Sequence, residues 1–236
     1  MRKAFVIVTV AIVILSLLLP TVSASASQDH IKLRVFIHYP KQARPGSQPG
    51  TCDPEEGYTT GYATAGWKLP GPVVYHVNYS TVPSTVSDVK TAIANSFNAW
   101  KFGGVSFSEG TATAARGAKY DGENVVVWGN VPSGAIAVTY TWYNSNTGMA
   151  VECDTVMAKS LPWKYTPVSN PDSSCADLYY YDVQDILTHE VGHWMGLADL
   201  YATANHDLTM YGYGDKGEVK KDSLESGDLD GLNAIY

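Results

Sequence analysis

The chain has 236 residues, of which 45% are hydrophobic and 17% are charged, with 16 tyrosines and 21 glycines. This composition is sufficient to bury a core, which excludes a disordered chain and predicts one globular domain with additional segments. The formal net charge of −7 and the lack of a basic stripe in the sequence exclude a nucleic-acid footprint, so we expect no nucleic-acid partner.

Residues 1–26 have the pattern of a secretory signal peptide. Two basic residues precede an apolar run over residues 4–19, and small residues follow, with a cleavage site near Ala24 or Ala26. The alternative is a single membrane anchor, but the run is short for a span of about 20 residues. We therefore expect the mature protein to be secreted, extracellular and free of the membrane.

Residues 27–60 are predicted to form an N-terminal extension and linker, with the position of a short propeptide. "IKLRVFIHYPK" favours a strand, and the sequence after it is dense in Pro, Gly and Ser, which is typical of a linker. The main domain is predicted over residues 61–236.

Within this domain the patterns predict five strands and three helices, and hence an α+β fold with a mostly contiguous sheet. An amphipathic helix in "STVSDVKTAIANSFNAWKF" follows the first strand, a second helix begins at about Asp182 as its N-cap, and a short helix lies in "SGDLDGLNAIY". The predicted strands are "GPVVYHVNYS", "GVSFSE", "ENVVVWGN", "AIAVTYTWY" and "AVECDTVMA".

The stretch "HEVGHWMGLADLY", residues 189–201, has the spacing of a metal site. Residues four apart return to nearly the same helix face, so His189 and His193 can direct ring nitrogens at one ion. Glu190 lies about 100° round the helix from His189, beside the ion, where a general base is needed.

Catalytic zinc has three protein ligands and one open position. Gly196 can adopt a left-handed conformation and end the helix sharply, so that Asp199 approaches the ion from another direction. The alternative third ligand is His206, seven residues later. The other histidines outside this stretch, His30, His38 and His76, have no companions at ligand spacing, so we expect them to be structural or exposed.

The HExxHxxGxxD pattern of residues 189–199 resembles the zinc motif of the metzincin metallopeptidases. Met210, in "LTMYGYG", is placed like the methionine of their Met-turn, which forms the floor beneath the metal. "GWKLPGPVVYHVN", "ENVVVWGN" and "SGDLDGLNAIY" are similar to the matrixin-like branch, so the resemblance covers roughly residues 61–236. Most matrixin-like members have histidine where this chain has Asp199, although a carboxylate is an accepted zinc ligand.

The resemblance implies a metzincin-like α+β domain: a twisted five-stranded mixed sheet, two long helices, and a short C-terminal lobe with a third helix. It implies a secreted zinc-dependent endopeptidase in which Glu190 acts as general base and acid on a water activated by Zn²⁺. We expect a monomer acting on protein or peptide substrates. Structural Ca²⁺ is common in the family, but the sequence has no D-x-D-x-D-G loop, so we assign no calcium site.

In that family a peptide substrate pairs with the edge strand above the metal. The matching segment here is residues 135–143, with Ile136, Val138 and Tyr140 as the substrate edge. Backbone pairing of this kind gives affinity with little sequence preference.

The three cysteines predict one disulfide in an oxidising compartment. Cys153 and Cys175 are the expected pair, because both lie in the predicted domain; the alternative is two buried free thiols. Some matrixin-like zymogens block the zinc with a propeptide cysteine. Cys52 lies in the corresponding region but lacks the flanking arginine and glycine, so we favour a surface thiol or a link to another chain over latency.

A second hypothesis is an exported non-catalytic metal-binding domain with an envelope or adhesion role. A purely structural zinc site usually has four protein ligands and needs no base such as Glu190, so the sequence favours the enzyme. A zinc hydrolase of non-peptide substrates is a third hypothesis, against which the Met210 segment weighs.

Overall fold

In a computed structural model of the chain, the described residues are 30–41, 60–171 and 174–236. They form an α+β fold with a mixed sheet and three α-helices, as the sequence predicts. The predicted signal segment, residues 42–59 of the predicted linker, and Cys52 lie outside the described residues.

The strands follow the alternating or continuous apolar runs of the sequence, because each buries one or both faces. The five strands predicted in the main domain and the predicted N-terminal strand are all present, and three further short strands are added. The strands are β1 (Ile31–Pro40), β2 (Val73–Val77), β3 (Phe107–Glu109), β4 (Asn124–Gly129), β5 (Ala137–Asn144), β6 (Met149–Ala158), β7 (Trp163–Lys164), β8 (Tyr181–Asp182) and β9 (Tyr213–Gly214).

The main sheet has seven strands in the order β3-β2-β4-β6-β5-β1-β9. Neighbours from β3 to β6 are parallel, β5 is antiparallel to β6 and to β1, and β1 is parallel to β9. The short β7 and β8 form a separate pair. The predicted five-stranded sheet is therefore too small, since the N-terminal strand and β9 extend it beyond β5.

The helices are α1 (Val89–Ala99), α2 (Val183–Trp194) and α3 (Ser226–Ile235). Helix α2 begins where predicted, with the Asp182 carboxylate accepting hydrogen bonds from two backbone N–H groups of the first turn. Helices α1 and α2 pack together through aromatic residues: Trp100 donates to the Thr188 carbonyl at 2.7 Å, and the rings of Phe97 and Trp194 lie 5.2 Å apart. This packing fixes α2 against α1.

The predicted Cys153–Cys175 disulfide is wrong. Cys153 is a free thiol that is fully buried on β6, whereas Cys175 is disulfide-bonded. Cys153 lies in the middle of the sheet, where its small apolar side chain packs in the core. None of the helices in the described ranges combines the length and apolar character that a bilayer span requires.

Candidate metal centre

Helix α2 brings His189 and His193 to one side, where the loop that follows the helix returns with Asp199. Helix α2 ends at Trp194, and Gly196 follows with a φ of +95° in the left-handed region, as the sequence predicts. A Cβ at Gly196 would lie 2.1 Å from the Trp67 carbonyl oxygen, so the close approach of two chain segments also requires glycine.

The three predicted ligands converge. Asp199 Oδ1 lies 3.2 Å from His189 Nε2 and 3.5 Å from His193 Nε2, and one atom from each residue lies within 4.8 Å of the others. Ligand atoms at about 2.0–2.2 Å from a tetrahedral zinc ion are about 3.3–3.6 Å apart. The donor separations therefore fit a single zinc ion.

Hydrogen bonding supports the same interpretation. His189 Nε2 and Asp199 Oδ1 are buried, and neither has a hydrogen-bond partner among the described residues. Leaving such polar atoms unpaired costs about 1–3 kcal/mol each. A cation bound between them would satisfy both, so these residues fit a divalent metal.

The other side of each ligand is anchored. His189 Nδ1 contacts the Thr209 carbonyl oxygen at 2.7 Å and His193 Nδ1 contacts the Leu197 carbonyl oxygen at 3.0 Å, so Nε2 is left for the metal in both rings. The Tyr201 hydroxyl donates to Asp199 Oδ2 at 3.1 Å. Each ligand atom is thus oriented by a second contact.

Met210 packs against α2. A Cβ built on Gly192 of α2 would meet Met210 Sδ at 2.2 Å, so the methionine packs directly against the helix that carries both histidines. Asp228 of α3 fixes this turn, because its carboxylate accepts from the backbone N–H of Thr209 at 3.0 Å and of Met210 at 3.2 Å.

Glu190 stands beside the ligands without joining the His189–His193–Asp199 group. Its Oε2 accepts a hydrogen bond of 2.5 Å from the Thr139 hydroxyl of β5, which contacts Thr155 of β6 at 2.8 Å. Trp194 Nε1 donates to Thr155 at 3.0 Å and completes the chain. Burial raises the pKa of Glu190 to about 7, a value suited to a general base near neutral pH.

The charges around the ligands act in both directions. Burial alone would lower the pKa of His193, but Asp199 outweighs it and raises the pKa, so metal binding has to displace a proton from that ring. The buried Lys221 ammonium lies 3.4 Å from His189 Nδ1 and opposes a cation there. Burial and then the nearby Lys221 ammonium lower the pKa of His189 to about 3, which keeps the imidazole neutral as a metal requires. Burial alone would raise the pKa of Asp199, but the adjacent His193 and His189 outweigh it and hold the pKa well below its usual range. Lys221 is itself fully buried and donates to the Tyr211 carbonyl.

Two other histidines are placed by the structure. The alternative third ligand, His206, is not brought to the site: its ring contacts Asp207 and the Thr203 carbonyl, and it belongs to neither of the residue groups that could hold an ion. His38, which was expected to be structural or exposed, is buried with Nδ1 3.3 Å from Glu190 Oε1, and with His189 and Glu190 it forms the second residue group that could hold an ion.

The predicted substrate edge is also wrong as it stands. Strand β5 is not an edge strand, because β1 pairs along it. Val138 is paired with Ile37, Tyr140 with Val35, and the Ile136 N–H donates to the His38 carbonyl. An exposed, apolar strand edge is unfavourable in water, and β1 covers this one.

Several residues of the site were not found by sequence reasoning, namely Thr139, Lys221, Asp228, Tyr201 and His38. All are distant in sequence from α2 or outside its spacing pattern, and each is recruited by tertiary packing. Asp228 alone has a local signal, since it is the N3 residue of a capping box at the start of α3.

Comparison of the sequence with known protein families and with curated proteins found no match.

Proposed function

We propose that this chain is an exported zinc-dependent endopeptidase of the metzincin type, with His189, His193 and Asp199 as the metal ligands. The observation that carries the proposal is the convergence of these three side chains at separations that suit one ion. Glu190 lies outside this group, although with His38 and His189 it forms a second group that could hold an ion, and we assign it the role of the base. A catalytic zinc site has this composition, because it keeps one position open.

When bound, a zinc ion polarises a peptide carbonyl and lowers the pKa of a coordinated water towards about 7. Glu190 takes the proton as water attacks the carbonyl carbon, and it returns a proton to the amine when the C–N bond breaks. Thr139 holds one carboxylate oxygen of Glu190, so the other oxygen, Oε1, is the one that handles the proton. The hydroxyl of the water thus becomes part of the new carboxyl end, and its proton becomes part of the new amino end.

The alternative, a non-catalytic metal-binding domain, is favoured by one observation. His189 and Glu190 are 0% exposed and His193 is 1% exposed, so a substrate cannot reach them in this conformation. The two functions differ in what they require of Glu190, because a structural metal site needs the ligands alone.

The test combines metal analysis with hydrolysis of unfolded casein. We expect one zinc per chain, lost in His193→Ala, and casein hydrolysis that disappears with a chelator and in Glu190→Gln, while Glu190→Gln retains its zinc. A chain that binds zinc through these ligands but never cleaves casein in a Glu190-dependent way, including in variants that expose Glu190, contradicts the enzyme and supports the non-catalytic domain.

A further inference from the structure

The third candidate ligand differs from the other two in the number of atoms that it can offer to an ion. Each of His189 and His193 has one ring nitrogen free for a metal, because Nδ1 contacts a backbone carbonyl in both rings. The Asp199 carboxylate has two oxygens, and a carboxylate can bind a metal through one of them or through both. If both bound, the second oxygen would take the position that catalytic zinc keeps open for water.

The two oxygens of Asp199 have different surroundings. Oδ1 lies 3.2 Å from His189 Nε2 and 3.5 Å from His193 Nε2, and it is buried without a hydrogen-bond partner in the ranges that the structure describes. Oδ2 instead accepts a hydrogen bond of 3.1 Å from the Tyr201 hydroxyl. Oδ1 is thus left for the ion, while Oδ2 is engaged by Tyr201.

The Tyr201 ring is held in a defined position beside Asp199. Gly212 lies next to both residues, since a Cβ at Gly212 would be 2.5 Å from Tyr201 Cε1 and 3.1 Å from Asp199 Cβ. The Tyr213 ring packs edge-on against the Tyr201 ring, with centroids 5.3 Å apart and planes at 65°. These contacts keep the Tyr201 hydroxyl within reach of Asp199 Oδ2.

We propose that Tyr201 is a positioning residue, which restricts Asp199 to one oxygen as a metal ligand and so keeps the fourth metal position open for water. The inference rests on the proposed function and adds the residue that an aspartate ligand requires. The two nitrogens of an imidazole point in different directions, so a histidine in place of Asp199 would not need this hydroxyl. Hydrogen bonds to ligating carboxylates commonly fix their orientation in metal sites.

The test compares Tyr201→Phe with Tyr213→Phe, two variants of the full chain that each remove one hydroxyl from the same pair of packed rings. Tyr213 is the matched control, because the hydroxyl that is bonded to Asp199 belongs to Tyr201. Both variants keep the ring, and 55% of Tyr201 is exposed, so the free energy of unfolding should change little. Crystal structures of the zinc-loaded proteins should show one Asp199 oxygen on the metal in the wild type and in Tyr213→Phe, and both oxygens in Tyr201→Phe.

Zinc affinity and casein hydrolysis should then respond differently to the loss of the Tyr201 hydroxyl. The zinc affinity of Tyr201→Phe, measured by competition with a chelator, should equal or exceed that of the wild type, because the metal gains a ligand atom. Casein hydrolysis by this variant should fall about 10- to 100-fold, since water loses its position. Tyr213→Phe should stay within about twofold of wild type in both quantities. A residue that only stabilises the loop would weaken zinc binding and hydrolysis together, and that result would overturn the inference.

Two results in the crystal structures would overturn the inference and leave the proposed enzyme intact. The first is a wild-type protein that cleaves casein with both Asp199 oxygens on zinc, a result that requires no variant to fold. The second is Tyr201→Phe with one Asp199 oxygen on the metal. If Tyr201→Phe gains the second oxygen but neither it nor the wild type cleaves casein, the proposed function fails and the positioning role stands. Zinc bound away from Asp199 in the wild type would contradict both proposals.

Discussion

The two sides of the metal centre are built differently. Its floor, which consists of α2, residues 209–211 and α3, is held by buried hydrogen bonds that Asp228 accepts from the backbone and by the packing of Met210 against Gly192. Its cover, which consists of β1 and β5, includes a strand with one long neighbour and an exposed outer face. The three candidate ligands are thus held from one side by buried hydrogen bonds and close packing, and are covered on the other side by a strand with an exposed outer face.

The largest expected effect comes from the turn that ends α2. Gly196→Ala should destabilise the chain by more than about 4 kcal/mol, because the new Cβ meets the Trp67 carbonyl at 2.1 Å in a left-handed backbone. Gly134→Ala is the control, with φ of +81° but nothing within 4 Å of the added Cβ, and should cost about 1–2 kcal/mol. Urea unfolding measures both; equal losses would contradict the close-contact argument.

The next effect concerns the floor beneath His189. Asp228→Ala should cost about 2–4 kcal/mol of unfolding free energy, because two buried N–H groups lose their acceptor. Zinc affinity should fall about 10- to 100-fold, since the Thr209 carbonyl that orients His189 is no longer fixed. Asp230→Ala, on the exposed face of α3, should change neither quantity measurably. Unchanged zinc affinity in Asp228→Ala would show that the hydrogen bonds to Asp228 do not position His189 for zinc.

A smaller effect is expected at Thr139 of β5, which contacts the proposed base Glu190. Thr139→Val removes the hydrogen bond to Glu190 Oε2 and should lower kcat for casein about 10- to 100-fold with zinc content unchanged. Thr141→Val is the matched control, because this buried hydroxyl on the same strand faces Cys153 instead. Equal losses in both variants would mean that strand packing, and not the contact with Glu190, is responsible.

The smallest expected effect is a pH dependence near the start of α2. Burial, with Asp185 and Asp182 nearby, raises the pKa of Asp222 to about 9, and its Oδ1 has no hydrogen-bond partner in the described part of the chain. The pKa of Asp222 in the folded chain exceeds its unfolded value of about 3.9. The free energy of unfolding is therefore highest below about pH 4 and falls as the pH rises towards 9. Asp222→Asn should flatten that decline, because the amide has no proton to lose. Thermal unfolding at pH 5 and pH 9 measures it, and a decline as steep as that of wild type would refute the assignment.

The three candidate ligands and the turn between them were predictable from sequence, and the strand that covers them was not predictable as a cover. His189, His193, Gly196 and Asp199 follow from spacing within eleven residues, because helix geometry and glycine conformation are local properties. The strand character of β1 was also predictable from its apolar alternation.

The strand with which β1 pairs was not predictable from sequence. The pairing of β1 with β5 joins segments about 100 residues apart, and a strand pattern does not specify which edge it will cover. The same reason explains the roles of His38 and Lys221, and the misassigned disulfide, because each depends on tertiary contacts between distant segments.

The central claim is that three side chains hold one ion with a position left for water. The most direct measurement is an anomalous difference map from crystals of the zinc-loaded protein. The account predicts one zinc peak at about 2.0–2.2 Å from His189 Nε2, His193 Nε2 and an Asp199 oxygen. A peak elsewhere, or a peak with His38 as a fourth protein ligand, would contradict it.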